Sequence, residues 1–194
     1  VSFAQRPVRV TAPAEMVVTL SVAKHHLRVL HTDDDAELAA MINAATTHLD
    51  GWSGILGRCL VTQGWRQDWS AFPGCRSIRL PFPDVQSVSI DYVDAAGAAQ
   101  TLSAQSMHLV HDAIGSRVDL AEGFQFPATA IRPDAVRVSM TAGFGLASDV
   151  PEGLRVAILM HVASMYEHRS REAYQYQPTM AYEMLTSPYR RLAL

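Results

Sequence analysis

Between residues 60 and 142 the hydrophobic pattern changes period, and this constrains the fold more than any other feature of the chain. On either side, apolar residues recur at i, i+3, i+4 and i+7, the spacing that places them on one face of a helix. In the middle they form short β-branched and aromatic runs separated by Gly, Pro and Asp, the texture of strands and turns. Strands are predicted near 60–69, 77–80, 86–93, 98–102, 107–111, 117–120 and 135–142. Val88, Ile90 and Tyr92 alternate with Ser89, Asp91 and Val93, and Asp94-Ala95-Ala96-Gly97 supplies turn chemistry, which favours an antiparallel meander. Pro81-Phe82-Pro83 lacks two ladder donors and is placed in a connection or at an edge. Residues 122–133 are read as a long loop.

The flanks divide into four helical pieces. Ser21 is expected to cap a short helix through Val29, and Thr32 or Asp33 to cap the next. In that second helix Leu38, Met41, Ile42, Ala45, Leu49 and Trp52 form one apolar stripe, ending at or before Gly54. Pro151 stands near the start of a third helix, where a missing amide costs nothing, with Leu154, Ile158, His161, Val162 and Met165 inward. A fourth runs from about Thr179 and breaks or restarts at Pro188. Residues 8–18, with Pro13 and no helical period, read as an extended lead-in whose order needs a partner surface. The expected fold is α+β, one domain over 1–194. Its core is a four-helix group, two N-terminal and two C-terminal helices at about 20–57 and 149–194, with an antiparallel β-region inserted at about 58–148.

Composition narrows the function classes. A chain of 194 residues, 48% apolar and 18% charged, can bury enough surface to fold. Its net charge of -3 and scattered arginines lack the concentrated positive stripe of a duplex-binding protein. The longest nearly apolar run, 154–166, is shorter than the roughly 20 residues of a spanning helix and holds Arg155 and His161, so no membrane association is expected. Residues 1–13 contain no apolar signal region, and the chain is read as cytoplasmic in origin. Cys59 and Cys75 match no C-x-x-C pattern and are too few for a disulfide framework.

No catalytic, cofactor or metal constellation emerges. Ala142-Gly143-Phe144-Gly145 follows a strand and precedes a helix, as a dinucleotide loop does, but Ser148 occupies the third glycine position and a parallel βαβ unit is missing. A tight turn into a helix accounts for the glycines. Gly51-Trp52-Ser53-Gly54 is close to a nucleophile elbow, yet Ile55 replaces the second required glycine and the motif ends a helix. His25, His26 and His31 are near neighbours, but adjacent histidines on a helix point about 100 degrees apart, and His108 and His111 face opposite sides of a strand. His161 and His168 share a helix face but a third metal ligand cannot be named. Asp33, Asp34 and Asp35 sit at a helix start, where capping and the helix dipole explain them.

Several dispersed features together carry a resemblance. They are the segment Val22-Ala23-Lys24-His25-His26-Leu27-Arg28-Val29, the acidic cap into a long alanine-rich helix, and the Ala142-Gly143-Phe144-Gly145 turn. Asp149-Val150-Pro151 and a helix ending Met165-Tyr166-Glu167-His168-Arg169 complete the set. From about Leu20 to Arg191 the chain resembles the long form of the tailed-phage head-to-tail connector, or adaptor, family, which includes adaptors of phage-like gene transfer agent particles. The resemblance implies a structural protein, not an enzyme, that forms a ring, usually dodecameric, on the portal protein at the head–tail interface of a virion assembled in the bacterial cytoplasm. Such a ring extends the DNA channel and is the docking platform for the stopper, or tail completion protein, and the tail. Double-stranded DNA passes through without sequence-specific binding, to which a weakly charged surface is suited.

Three groups of residues are candidates for that role. Tyr189, Arg190, Arg191, Leu192 and Leu194 are a portal-docking tail or pack on their own helices. Asp33, Asp34 and Asp35 line the channel or only cap a helix. Phe124 and Phe126 contact a neighbour or the tail-side partner, or belong to an ordinary core loop. Two readings from other classes remain beside it: a small metal-binding protein or enzyme using the histidines, and a nucleic-acid-binding module.

Overall fold

A computed structural model describes residues 3–168 and 178–191, and among them the chain is α+β, with four α-helices and antiparallel sheets. Two compact units arise, one of Val1–Ala14 with Thr62–Gly143 and one of Glu15–Val61 with Phe144–Leu194. No helix of the described residues is long and apolar enough to cross a membrane.

The first unit holds the strands: β1 (Val8–Thr11), β2 (Gln63–Trp69), β3 (Ser77–Arg79), β4 (Val85–Val93), β5 (Ala99–Thr101), β6 (Met107–Asp112), β7 (Gly115–Leu120) and β8 (Val136–Ala142). They form a five-stranded sheet in the order β1-β2-β8-β4-β5 and a three-stranded sheet in the order β3-β7-β6. The first order is not a simple meander. β8 is drawn between β2 and β4 because Val136, Val138, Met140 and Ala142 alternate with outward residues and bury one whole face, which suits a central strand. The two hairpins are as local turn chemistry dictates. Between β4 and β5 the Asp94 carboxylate accepts from the amides of Ala96 and Ala98, each at 2.9 Å, and Gly97 takes a φ of 87°. Pro81-Phe82-Pro83 lies in the connection from β3 to β4, with Phe82 fully buried against Trp65, ring centroids 4.8 Å apart.

The N-terminal segment departs from expectation. It needs no outside partner for order: residues 8–11 pair antiparallel with β2, Ala4 bridges Trp69, and Gln5 donates its amide to the Asp68 carbonyl at 2.8 Å. Its prolines fall outside the paired strand, where the missing N–H groups cost the ladder nothing.

The second unit holds α1 (Leu20–Leu27), α2 (Asp35–Leu49), α3 (Glu152–Glu167) and α4 (Met180–Thr186). Thr19, not Ser21, is the first N-cap, because α1 begins at Leu20 and leaves Ser21 inside the first turn; the Thr19 hydroxyl accepts from the Val22 amide. The α2 stripe of Leu38, Ile42, Ala45 and Leu49 is fully buried, and on α3 Leu154, Ala157, Ile158 and Val162 meet the same core. Trp52 is not part of that stripe. The helix stops at Leu49, Asp50 turns extended and its carboxylate accepts from the Leu60 amide at 2.7 Å, and Trp52 is left 40% exposed. A Cβ on Gly54 would run into the Leu49 and Asp50 backbone, so the glycines of Gly51-Trp52-Ser53-Gly54 serve a tight helix exit.

Candidate functional site

The acidic run at the start of α2 is tied to its neighbours by its side chains. Asp34 occupies the N-cap position, yet its carboxylate makes no cap bond to the helix; it accepts from the Tyr166 hydroxyl of α3 at 2.6 Å and lies 4.0 Å from the His31 imidazole. Asp35 pairs with Lys24 of α1 at 2.5 Å, and the same ammonium donates to the His31 carbonyl at 2.6 Å. Asp33 is exposed. Side-chain capping, the reason expected for this run, is therefore replaced by contacts from α2 to α1 and α3, while Asp35 and Glu37 still complement the helix dipole. Changing Tyr166 to Phe removes one bond to a charged acceptor, and urea unfolding is expected to show a loss of about 1.5 kcal/mol. An unchanged midpoint and slope would show that Asp34 is held by something else.

Beside Lys24 an open groove is lined by Ser21, His25, Arg28, Val29 and Leu30. Its ammonium is already engaged by Asp35, so the groove presents mainly His25 and Arg28 to solvent. The Ser21 hydroxyl is hydrogen-bonded to the Thr19 hydroxyl at 3.2 Å.

The described part of the C-terminal candidate packs on its own unit. Tyr189 stands edge-on to Phe144, ring centroids 6.3 Å apart, and the Arg58 guanidinium lies over the Phe144 ring, 5.1 Å from its centroid. The Arg191 amide donates to the Leu56 carbonyl at 2.8 Å, and Arg190 pairs with Glu183 at 2.8 Å. Leu192 and Leu194 lie outside the described residues.

Phe124 and Phe126 also turn inward on their own unit. Phe126 meets Phe124 edge-to-face at 5.4 Å and Phe72 in a tilted contact at 5.6 Å, and Phe72 meets Tyr92 at 5.6 Å. The loop that carries them is pinned by a bridge between Thr129 and Asp94. Both aromatics remain half-exposed.

Among the histidines the structure makes a different grouping from the one periodicity offered. His168 spends Nδ1 on the Ser164 carbonyl of its own helix, at 2.8 Å. His161 is buried and meets His48 of α2 at 5.2 Å and Tyr182 of α4 at 6.1 Å, both edge-to-face. Burial, aided by the neighbouring His48, pushes its pKa down to about 4, so the ring is neutral near pH 7. Nothing in the spacing of His48 and His161 marks them as partners, because they lie on different helices far apart in sequence. Among the described residues no group of three or more His, Cys, Asp or Glu could hold a metal.

The Ala142-Gly143-Phe144-Gly145 turn has a structural account. Phe144 donates its amide to the Leu60 carbonyl at 2.9 Å, and Asp149 folds its carboxylate over Gly145 to accept from the Leu146 amide at 2.8 Å. A side chain at Gly145, which has a φ of 138°, would collide with that carboxylate. On the three-stranded sheet, Asp112 joins Arg79 at 2.8 Å and Arg117 at 2.5 Å, and the Arg79 guanidinium foremost holds its carboxyl well below the usual range. Neighbouring Asp119 meets Arg117 at 3.0 Å, making a half-buried charge network of two arginines and two aspartates.

No family model matches the chain, and no curated protein does. Solved structures do. A chain in the neck of an empty GTA particle computed with C6 symmetry superposes with a TM-score of 0.79 at 24% identity, covering 98% of this chain and 97% of that chain. A chain in the virion of a native gene transfer agent (GTA) particle gives 0.77, and one in the neck of a native GTA particle computed with C12 symmetry gives 0.74, at the same identity and coverage. At that identity the likeness establishes a common fold over nearly the whole length of both chains.

Proposed function

We propose that this chain is a structural head-to-tail connector of a phage or phage-like particle, a ring-forming adaptor that sits on the portal protein, extends the DNA channel and presents a platform to the stopper and tail. The observation that carries the proposal is the full-length fold likeness to chains from particle necks, with a TM-score of 0.79. The C6 and C12 symmetries of those necks are consistent with a ring, here of twelve copies. In this proposal the helical unit is the core of the adaptor and the β unit is the inserted region, with β1 contributed from ahead of the first helix.

The residues support a mechanical role. Interactions are made by shape and surface: a net charge of -3 leaves DNA free to slide, since each phosphate neutralised adds to a salt-dependent grip. Asp33, exposed beside the two engaged aspartates, is the member of the acidic run best placed to repel phosphates in a channel. Tyr189 and Arg191 would anchor the base of the docking tail, and Leu192 and Leu194 would enter the portal. Phe124 and Phe126, through their half-exposed rings, would meet a neighbour or the tail side.

Deleting the gene and imaging the particles tests this directly. The expected result is capsids without tails, restored by the intact gene supplied in trans. Normally tailed particles from the deletion strain would overturn the proposal.

A further inference from the structure

The five-stranded sheet has two open edges, and they are complementary. Each strand is antiparallel to the next across β1, β2, β8, β4 and β5, so with an odd number of strands the two edges run in the same direction. One edge is the N-terminal segment, whose residues 3–6 are all exposed, Phe3 to 69%. The other is β5, whose three residues are all exposed and uncharged. The first edge shifts register between Arg9 and Thr11 and carries Pro7, which blunt β1 itself, but among the described residues neither 3–6 nor β5 has the bulge, lysine or buried cover that keeps isolated edges from pairing.

The ladder places these two edges at the same height. Ala4 bridges Trp69, Trp69 faces Val136, Val136 faces Tyr92, and Tyr92 faces Gln100. Ala4 and Gln100 thus stand at opposite ends of one row, with side chains on the same face. The charges match as well: residues 3–11 carry Arg6 and Arg9 and no acid, whereas residues 91–101 carry Asp91 and Asp94 and no base. Like edges brought together would set arginine near arginine or aspartate near aspartate; unlike edges attract within the roughly 10 Å over which salt leaves charges in touch. A rotation that sets one sheet beside the next preserves strand direction, so unlike edges meet head-to-tail and in parallel, the heterologous contact that closes rings.

We propose that β5 of a neighbouring copy adds to residues 3–6 as a parallel strand, joining the five-stranded sheets of adjacent subunits edge to edge around the ring. This inference rests on the ring reading above and names the surface that makes the ring.

Pairwise cysteine cross-linking in assembled particles tests it. Adjacent strands lie about 4.8 Å apart, within the Cα separation a disulfide accepts. In a Cys75→Ser background, which removes the exposed thiol and leaves the buried Cys59, Ala4→Cys is combined with Gln100→Cys, and Phe3→Cys with Ala99→Cys or with Thr101→Cys. All five positions are exposed, and circular dichroism verifies folding of each variant. Oxidation is expected to give a reducible ladder of covalent multimers from A4C/Q100C and from F3C/A99C, with at least tenfold less from F3C/T101C and from each single variant. A ladder from F3C/T101C instead shows antiparallel pairing, and dimers from A4C alone show two-fold edge contact; either overturns the proposal. Tailed particles that contain the variants but give no ladder overturn edge pairing and leave the connector role standing. Intact wild-type particles that lack the protein overturn both.

Discussion

Replacing Tyr182 by alanine is expected to cost about 4 kcal/mol in urea unfolding, the range for removing a large aromatic from a packed core. Tyr182 is fully buried although it belongs to α4, which spans only Met180–Thr186. A helix of two turns is marginal in water by itself, so α4 persists through its tertiary contacts. Tyr182 supplies the largest of them, edge-on to His161, while Leu185 lies against Gly153 at the start of α3. Its backbone is held independently by the Thr179 cap, whose hydroxyl accepts from the Tyr182 amide at 3.2 Å, so the loss measures packing. Hydrogen exchange should show α4 amides exchanging with the solvent-opened state before those of α2. A loss below 1 kcal/mol, with α4 still protected, would mean that α4 is held from elsewhere.

Acidification is expected to weaken the helical unit through His161. Burial first, and the charge of nearby His48 second, lower its folded pKa from 6.5 to about 4. The unfolded chain therefore binds a proton that the folded chain refuses throughout that window, and stability falls as pH drops through it. The stability is complete above pH 6.5, declines between 6.5 and 4, and levels off below 4 where both states are protonated. Converted at 1.36 kcal/mol for each unit, the total is about 3 kcal/mol. Urea midpoints at pH 7.5, 6, 5 and 4 measure it. His161→Gln should flatten the segment between pH 6 and 4 by removing the titrating ring, at the cost of a lower plateau. An equally steep fall in the variant would assign the dependence to groups other than His161; the carboxylates Asp112 and Asp134, whose pKa values are lowered chiefly by Arg79 and Arg132, lose their contribution only below this window.

Where a residue's conformation is decided by its near neighbours, the sequence was sufficient. The α2 and α3 stripes, the Asp94 turn, the Pro81-Phe82-Pro83 connection and the start of α4 appear where periodicity and turn chemistry put them. Misplacements occur at ends: the first cap moves from Ser21 to Thr19, and Trp52 falls beyond the end of α2. Element boundaries are set by a few competing bonds, here Asp50 to the Leu60 amide, that no stripe records.

Among the candidate residues the same division holds. Three consecutive aspartates announce a helix start, and α2 does start there, but their engagement with Tyr166 and Lys24 depends on two other helices. Phe124 and Phe126 are visible as aromatics in a loop; the contact of Phe126 with Phe72 requires a strand connection some fifty residues earlier to return beside it.

By itself, then, the sequence determined the helical stretches, most of the strands and where the turns fall, because each of these follows from φ/ψ preference and from the 3.6- or 2-residue repeat of apolar side chains, whereas residues 8–11, read only as an extended lead-in, become a strand by pairing with β2. Tertiary structure alone decided that β8 lies between β2 and β4, that His161 meets His48 rather than a ligand on its own helix, and that Ala4 and Gln100 end one row on opposite open edges. Those outcomes are pairings between residues distant in the chain, selected by whole-core burial and ladder register, and such energies leave no periodic trace in the order of the amino acids.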